Sequence, residues 1–180
     1  MGHIQQSIYN YNMLKTLYKI FRIGVVTESL PQSKTTSFER LGDSCKKIVD
    51  AKFAGSLAIR QIDAGSCNGC ELEIQALNNP FYDIERFGIH FVASPRHADL
   101  LLVTGPVSRH MESALISAYT ATPNPKLVLA VGNCGASGGE FGCSYACAGA
   151  VANVIPVDGV IIGCPPTPTN LLQGILELLQ

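Results

Sequence analysis

The sequence predicts an α/β fold built on a parallel sheet of four or five strands and preceded by N-terminal helices. Three observations predict it. From Leu57 onward, short apolar runs alternate with stretches of helical period. The runs are apolar throughout rather than at every second residue, as strands covered on both faces are. Glycine- or proline-marked turns close several of them at the carboxyl side.

Before Leu57 the chain has a different character. Met13 to Ile23 places Leu14, Leu17, Tyr18 and Phe21 at helical spacing, with Lys15, Lys19 and Arg22 available for another side. Such a basic amphipathic helix could lie in a partner's groove, on a membrane surface or against the domain itself. Pro31 to Ser37 is polar and turn-rich and reads as a linker. A second helix is expected from roughly Phe38 to Phe53, leading into Gly55. Residues 1–56 are thus expected to be a helical and linker extension that contacts a partner or membrane subunit, and residues 57–180 the α/β domain.

Leu57 to Ile62 is the first strand. It runs into Asp63-Ala64-Gly65-Ser66-Cys67-Asn68-Gly69-Cys70, after which Glu71 to Leu77 can form a helix. Ile89 to Ala93 and Leu100 to Thr104 are further strands, the second followed by Gly105-Pro106 and a helix from about Glu112 to Tyr119. Leu127 to Val131 opens onto Gly132-Asn133-Cys134-Gly135, and Val160 to Ile162 onto Gly163-Cys164-Pro165-Pro166. Asn170 to Leu179 closes the chain as a helix. Right-handed crossovers put every strand-to-helix loop of such a sheet on the same edge. The expected architecture is a flavodoxin-like three-layer sandwich whose site lies at the carboxyl ends of its strands.

Composition narrows the function. A chain of 180 residues with 47% apolar content and a formal charge of −1 suits one well-buried domain. Only 15% of residues are charged, below the ~25–35% of a free-standing surface, so partner subunits are expected to cover much of the outside. Seven cysteines, odd in number and without a signal peptide, argue against a disulfide framework and for a reducing compartment. No apolar stretch is long enough to span a membrane. No phosphate-cradling GxxxxGK or GxGxxG is present and no basic stripe, so neither nucleotide nor nucleic acid is expected.

Cys67, Cys70, Cys134 and Cys164 all fall in the turns expected on one edge, which suggests a single thiolate-bound metal centre. Four thiolates suit zinc or a [4Fe-4S] cluster, and Cys67 with Cys70 could instead be a redox dithiol. Structural zinc usually takes its ligands in two close pairs, whereas here one pair is followed by two distant singles. Gly65, Gly69, Gly132, Gly135, Gly138, Gly139 and Gly163 crowd the cysteines, letting backbone approach a bulky cube and aim N–H groups at its sulfurs. The residues favour iron–sulfur and leave the other two readings open.

Five motifs then carry a resemblance. They are Ser66-Cys67-Asn68-Gly69-Cys70-Glu71-Leu72-Glu73-Ile74, Tyr82-Asp83-Ile84-Glu85-Arg86-Phe87-Gly88, Ser94-Pro95-Arg96-His97-Ala98-Asp99, Gly132-Asn133-Cys134, and Ile155-Pro156-Val157-Asp158 with Gly163-Cys164-Pro165-Pro166-Thr167-Pro168. In this order they resemble the small electron-transfer subunit of membrane-bound, energy-converting [NiFe] hydrogenases, a group that includes the formate hydrogenlyase small subunit and is similar to the 20 kDa subunit of respiratory complex I. The resemblance covers about residues 57–179. The split pair Cys67 and Cys70 favours the hydrogenase branch, since the complex I subunit has adjacent cysteines there.

The resemblance implies one [4Fe-4S] cluster held by Cys67, Cys70, Cys134 and Cys164, proximal to the active site of a large hydrogenase-like subunit. Electrons would pass between that site and ferredoxin-like iron-sulfur subunits, and this chain would be a non-catalytic subunit of an oxidoreductase. It would sit peripherally on the cytoplasmic side of the cell membrane, beside membrane subunits. The alternative is the same cluster subunit in a complex I-like or hydrogenase-related quinone or sulfur-compound oxidoreductase lacking nickel.

Glu73 matches an acidic position shared with the complex I subunit, where a proton path, a subunit contact and simple solvation compete. Arg96 and His97 are candidates for an interface or for proton or potential tuning. Glu71 is expected to favour a helix N-terminus or to take part in chemistry, and Asp99 and Asp158 to cap turns. Cys143 and Cys147 form a CxxxC the cluster does not need and are expected to be packing residues, ahead of a second metal or redox site or a labile disulfide; Cys45, in the expected second helix, is not expected to be a ligand.

Overall fold

The computed structural model describes residues 2–24 and 36–180, with side chains from Met13 onward. It divides into two units, Met1–Lys34 and Thr35–Gln180. In the first, α1 runs Gly2–Ile23, longer than the Met13–Ile23 segment that its periodicity marks. Residues 31–35 of the expected linker lie outside the described residues.

The second unit begins with α2, Ser37–Lys52. Thr36 and Glu39 form a capping box: the Thr36 hydroxyl accepts from Glu39 N–H at 3.2 Å, and Thr36 N–H donates to the Glu39 carboxylate at 2.7 Å. The compact unit therefore reaches further towards the N-terminus than the boundary at Leu57 suggested by the change of period. Its reason is burial: Phe38, Cys45 and Val49 on one face of α2 belong to the core. Burial pushes the Cys45 thiol up to about 12, and its Sγ lies 3.8 Å from the Leu172 carbonyl, so Cys45 packs in the core as a small hydrophobe.

The strands and helices then alternate as β1 Leu57–Asp63, α3 Gly69–Ala76, β2 Ile89–Phe91, β3 Leu100–Thr104, β4 Val107–Ser108, α4 Arg109–Ala121, β5 Leu127–Val131, α5 Gly132–Ser137, β6 Cys147–Gly149, β7 Gly159–Ile161 and α6 Pro168–Leu179. Five strands form a wholly parallel sheet in the order β2-β1-β3-β5-β7, which is the flavodoxin-like order. β4 and β6 pair as a short antiparallel ribbon beside it.

Both faces of the sheet are buried, which explains the unbroken apolar runs. Ile59, Leu100, Leu102, Leu129 and Val131 pack in one cluster with α2, α3 and α6. Ile62, Leu101, Val103, Val128 and Ala130 pack in the other with Leu115 of α4. Register matters as much as order. Asp63, Thr104, Val131 and Ile161 form one row across the sheet, so the turns after β1, β3, β5 and β7 start level with one another.

Gly42 shows how closely α2 is seated. A methyl group there would stand 2.2 Å from the Phe87 ring, a contact no side chain makes. Gly42→Ala is expected to lower stability by about 1–3 kcal/mol through overpacking, read as a drop in the thermal midpoint. An unchanged midpoint would mean that α2 is not held against this turn.

Candidate metal centre

The turn after β1 is organised by its own side chains. Asp63 Oδ1 accepts from Gly65 and Ser66 N–H groups at 3.0 and 3.1 Å, and the Ser66 hydroxyl accepts from Asn68 N–H at 3.1 Å. Asn68 takes a left-handed conformation and hands the chain to α3. Cys67 is exposed on this turn and Cys70 half-buried in the first turn of α3.

Cys134 sits in the first turn of α5, directly after β5, rather than in an open turn. Gly132 opens α5 with φ +77°, and a Cβ on it would stand 2.7 Å from the Cys70 Sγ. The turn after β5 thus presses its backbone against the CxxC turn. A Cβ on Gly139 would similarly stand 2.6 Å from the Cys134 Sγ. Two hydrogen bonds tie the Cys134 turn to the Cys164 turn: Asn133 N–H donates to the Gly163 carbonyl at 2.8 Å, and Gly163 N–H donates to Asn133 Oδ1 at 3.0 Å. Cys164 is exposed and is followed by Pro165, which lies near Gly69 of the CxxC turn.

All four cysteines therefore come to one edge. Their electrostatics agree. Burial pushes the Cys70 thiol up to about 11, reinforced first by the Glu71 carboxylate and then by Cys67, Cys134 and Cys164. Cys134 is raised by burial, then by Cys164, Cys67 and Glu140. Burial and mutual proximity thus both oppose the thiolate forms of Cys70 and Cys134. Among the described residues no group of three or more His, Cys, Asp or Glu could hold a metal ion as placed.

The remaining sequence candidates separate. Glu73 is half-buried on α3, beyond the CxxC turn. Arg96 and His97 are exposed in a 3-10 turn that precedes β3, at the amino edge of the sheet, across its length from the cysteines. That placement suits an interface and removes the basis for tuning a centre at the opposite edge. Asp99 accepts from Ala58 N–H at 3.0 Å and Asp158 from Val128 N–H at 2.8 Å, each tying a turn to the neighbouring strand. Cys143 is exposed, its Sγ 3.5 Å from the Ala148 carbonyl, and Cys147 is half-buried in β6. Neither is the buried packing residue expected of it, because the loop they occupy closes on itself through Ser144 rather than into the core.

Glu71 lies on the inner face of α3 rather than at an open helix end: it is only 3% exposed, and neither carboxylate oxygen has a hydrogen-bond partner among the described residues. Its spacing from Ile74 and Leu77, both buried, is the signal that placed it on the inner face of α3.

Gly132→Ala should drive the Cys70 Sγ from its position, whereas Gly142→Ala carries a similar backbone strain, φ +54°, with nothing within 4 Å of the new methyl. The first is expected to lower metal retention and change Cys70 alkylation, the second to leave both as in the parent. Equal behaviour of the two variants would show that the approach of Gly132 to Cys70 is unimportant.

The family described as NADH ubiquinone oxidoreductase, 20 Kd subunit, matches residues 67–178, which include all four cysteines. Formate hydrogenlyase subunit 7 of Escherichia coli (strain K12) is 47% identical over 136 residues, 76% of this chain and 53% of that protein, so the chain spans about half of its length. The probable membrane-bound hydrogenase subunit mbhJ of Pyrococcus furiosus is 45% identical over 130 residues, 72% of this chain and 78% of that one. Among solved structures, a chain of the membrane-bound sulfane sulfur reductase, an archaeal respiratory membrane complex, superposes with a TM-score of 0.60 at 39% identity. The match covers 69% of this chain and 68% of that one.

Proposed function

Because the chain belongs to the family of the NADH ubiquinone oxidoreductase 20 kDa subunit, we propose that it is the iron–sulfur electron-transfer subunit of a peripheral arm on a membrane-bound redox complex of hydrogenase or sulfur-reductase kind. Its relatives include a formate hydrogenlyase subunit, a probable membrane-bound hydrogenase subunit and a chain of a sulfane sulfur reductase. Because these span both kinds of complex, the broader reading is favoured over the hydrogenase-specific one. A large subunit over the cysteine edge, a ferredoxin-like subunit and membrane subunits are the proposed partners, with the cytoplasmic face as the proposed side. Among the described residues no helix is long and apolar enough to cross a membrane, so the attachment would be through neighbours or a surface.

The observation that carries this is the convergence of Cys67, Cys70, Cys134 and Cys164 on backbone turns locked together by Asn133, Gly163 and Gly132. These four would hold one [4Fe-4S] cluster, which supplies one-electron transfer when bound. The chain's own part is positional. Glycines at 132 and 139 remove side-chain bulk that would press on the Cys70 and Cys134 sulfurs, and the Asn133 amide keeps the two single-cysteine turns at a fixed separation. Exposed apolar groups flank this edge, among them Leu72 on α3, Phe141 and Tyr145 on the loop after α5, and Ile162 after β7. A large subunit seated there would exclude water and oxygen from the site.

Anaerobically prepared protein should contain about four irons per chain and give a reducible signal by electron paramagnetic resonance. Stoichiometric zinc with little iron, in protein active within its complex, would overturn the proposal.

Alanine at Cys67, Cys70, Cys134 or Cys164 should cost the chain its iron. Cys45→Ala, Cys143→Ala and Cys147→Ala should keep it, with packing costs of a few kcal/mol at most. Loss of iron in Cys143→Ala with retention in Cys164→Ala would reassign the ligands.

A further inference from the structure

The match to the family begins at residue 67, so α1 lies outside it and needs its own account. At 3.6 residues per turn, Ile20, Met13, Leu17, Phe21, Leu14 and Tyr18 fall in that order within an arc of about 160° of the helix surface. All six are 45–85% exposed. Arg22, Lys15 and Lys19 occupy the adjoining arc of about 60°, and Gly2–Ile23 contains no acidic residue.

An apolar face beside an all-basic arc, with Tyr18 at their border, is a pattern of helices that lie in the plane of a lipid surface. Leu14, Leu17, Tyr18 and Phe21 also have the i, i+3, i+4, i+7 spacing of groove-bound helices, so charge is what separates the two. Charge complementarity favours the lipid surface. Residues 1–34 carry four basic residues against Glu28 alone, while the whole chain is −1, so the remainder is net acidic. That remainder is repelled by an anionic surface, and the attraction falls to α1.

We infer that α1 docks on an anionic phospholipid surface, burying the face from Ile20 to Tyr18 among the acyl chains with Lys19 and Arg22 at the headgroups. This anchor is independent of the iron–sulfur reading, and its test leaves that reading untouched.

The test is flotation of the full-length chain with vesicles of equimolar phosphatidylcholine and phosphatidylglycerol, against vesicles of phosphatidylcholine alone. The chain should float with the anionic vesicles, and less so as salt is raised. Lys19→Ala with Arg22→Ala should weaken binding about 25-fold, from about fivefold for each basic residue near the surface. Leu17→Glu with Phe21→Glu should abolish it. Both pairs lie outside the domain, so its thermal midpoint and iron content should stay at parent values. Failure to float, or flotation indifferent to lipid charge and to these variants, would overturn the inference. Release of the Leu17/Phe21 variant from protein partners without any vesicle binding by the parent would assign the face to a protein groove instead.

Discussion

The close approach of three backbone turns at the carboxyl edge of the sheet is the constraint on which the rest of the structure depends. Asp63, Thr104, Val131 and Ile161 lie in one register row, so the chain leaves four parallel strands at the same height. Level strand ends alone would leave the cysteines near one another but unordered. What orders them is the two-way hydrogen bonding between Asn133 and Gly163 and the seating of Gly132 against the Cys70 Sγ. The double burial of the sheet then holds that edge rigid, since β1, β3 and β5 are packed on both faces and cannot slide without exposing core.

Rigidity of this kind suits electron transfer more than bond-making. A carrier gains from ligands that do not move between oxidation states. Glu71 is the charged neighbour with the strongest hold on the Cys70 thiol, and it is buried rather than presented outward. Low charge content and the exposed Leu72, Phe141, Tyr145 and Ile162 fit a module whose reacting partner is another subunit.

The strands and the shared edge were legible in the sequence because burial on both faces writes continuous apolar runs, and Leu100–Thr104 and Leu127–Val131 match their expected limits. Helix starts were less so. α4 begins at Arg109 and α6 at Pro168, three and two residues ahead of their expected starts, because Ser108 and Thr167 cap them by accepting from Met111 and Asn170 N–H groups. The β4–β6 ribbon leaves no mark in the sequence, since strands of two and three residues carry no period. At the site, the four cysteines could be gathered from topology alone. The exposure of Cys143, the opposite-edge position of Arg96 and His97 and the burial of Glu71 could not, because each depends on how a loop or helix face turns rather than on spacing.

The central claim is that these four thiols surround one cluster at the edge of the parallel sheet. An anomalous scattering map collected at the iron edge, from the subunit crystallised anaerobically within its complex, tests it most directly. The account predicts one compact iron peak bonded to the Sγ atoms of Cys67, Cys70, Cys134 and Cys164. A peak bound elsewhere, or a single zinc held by only some of these cysteines, would contradict it.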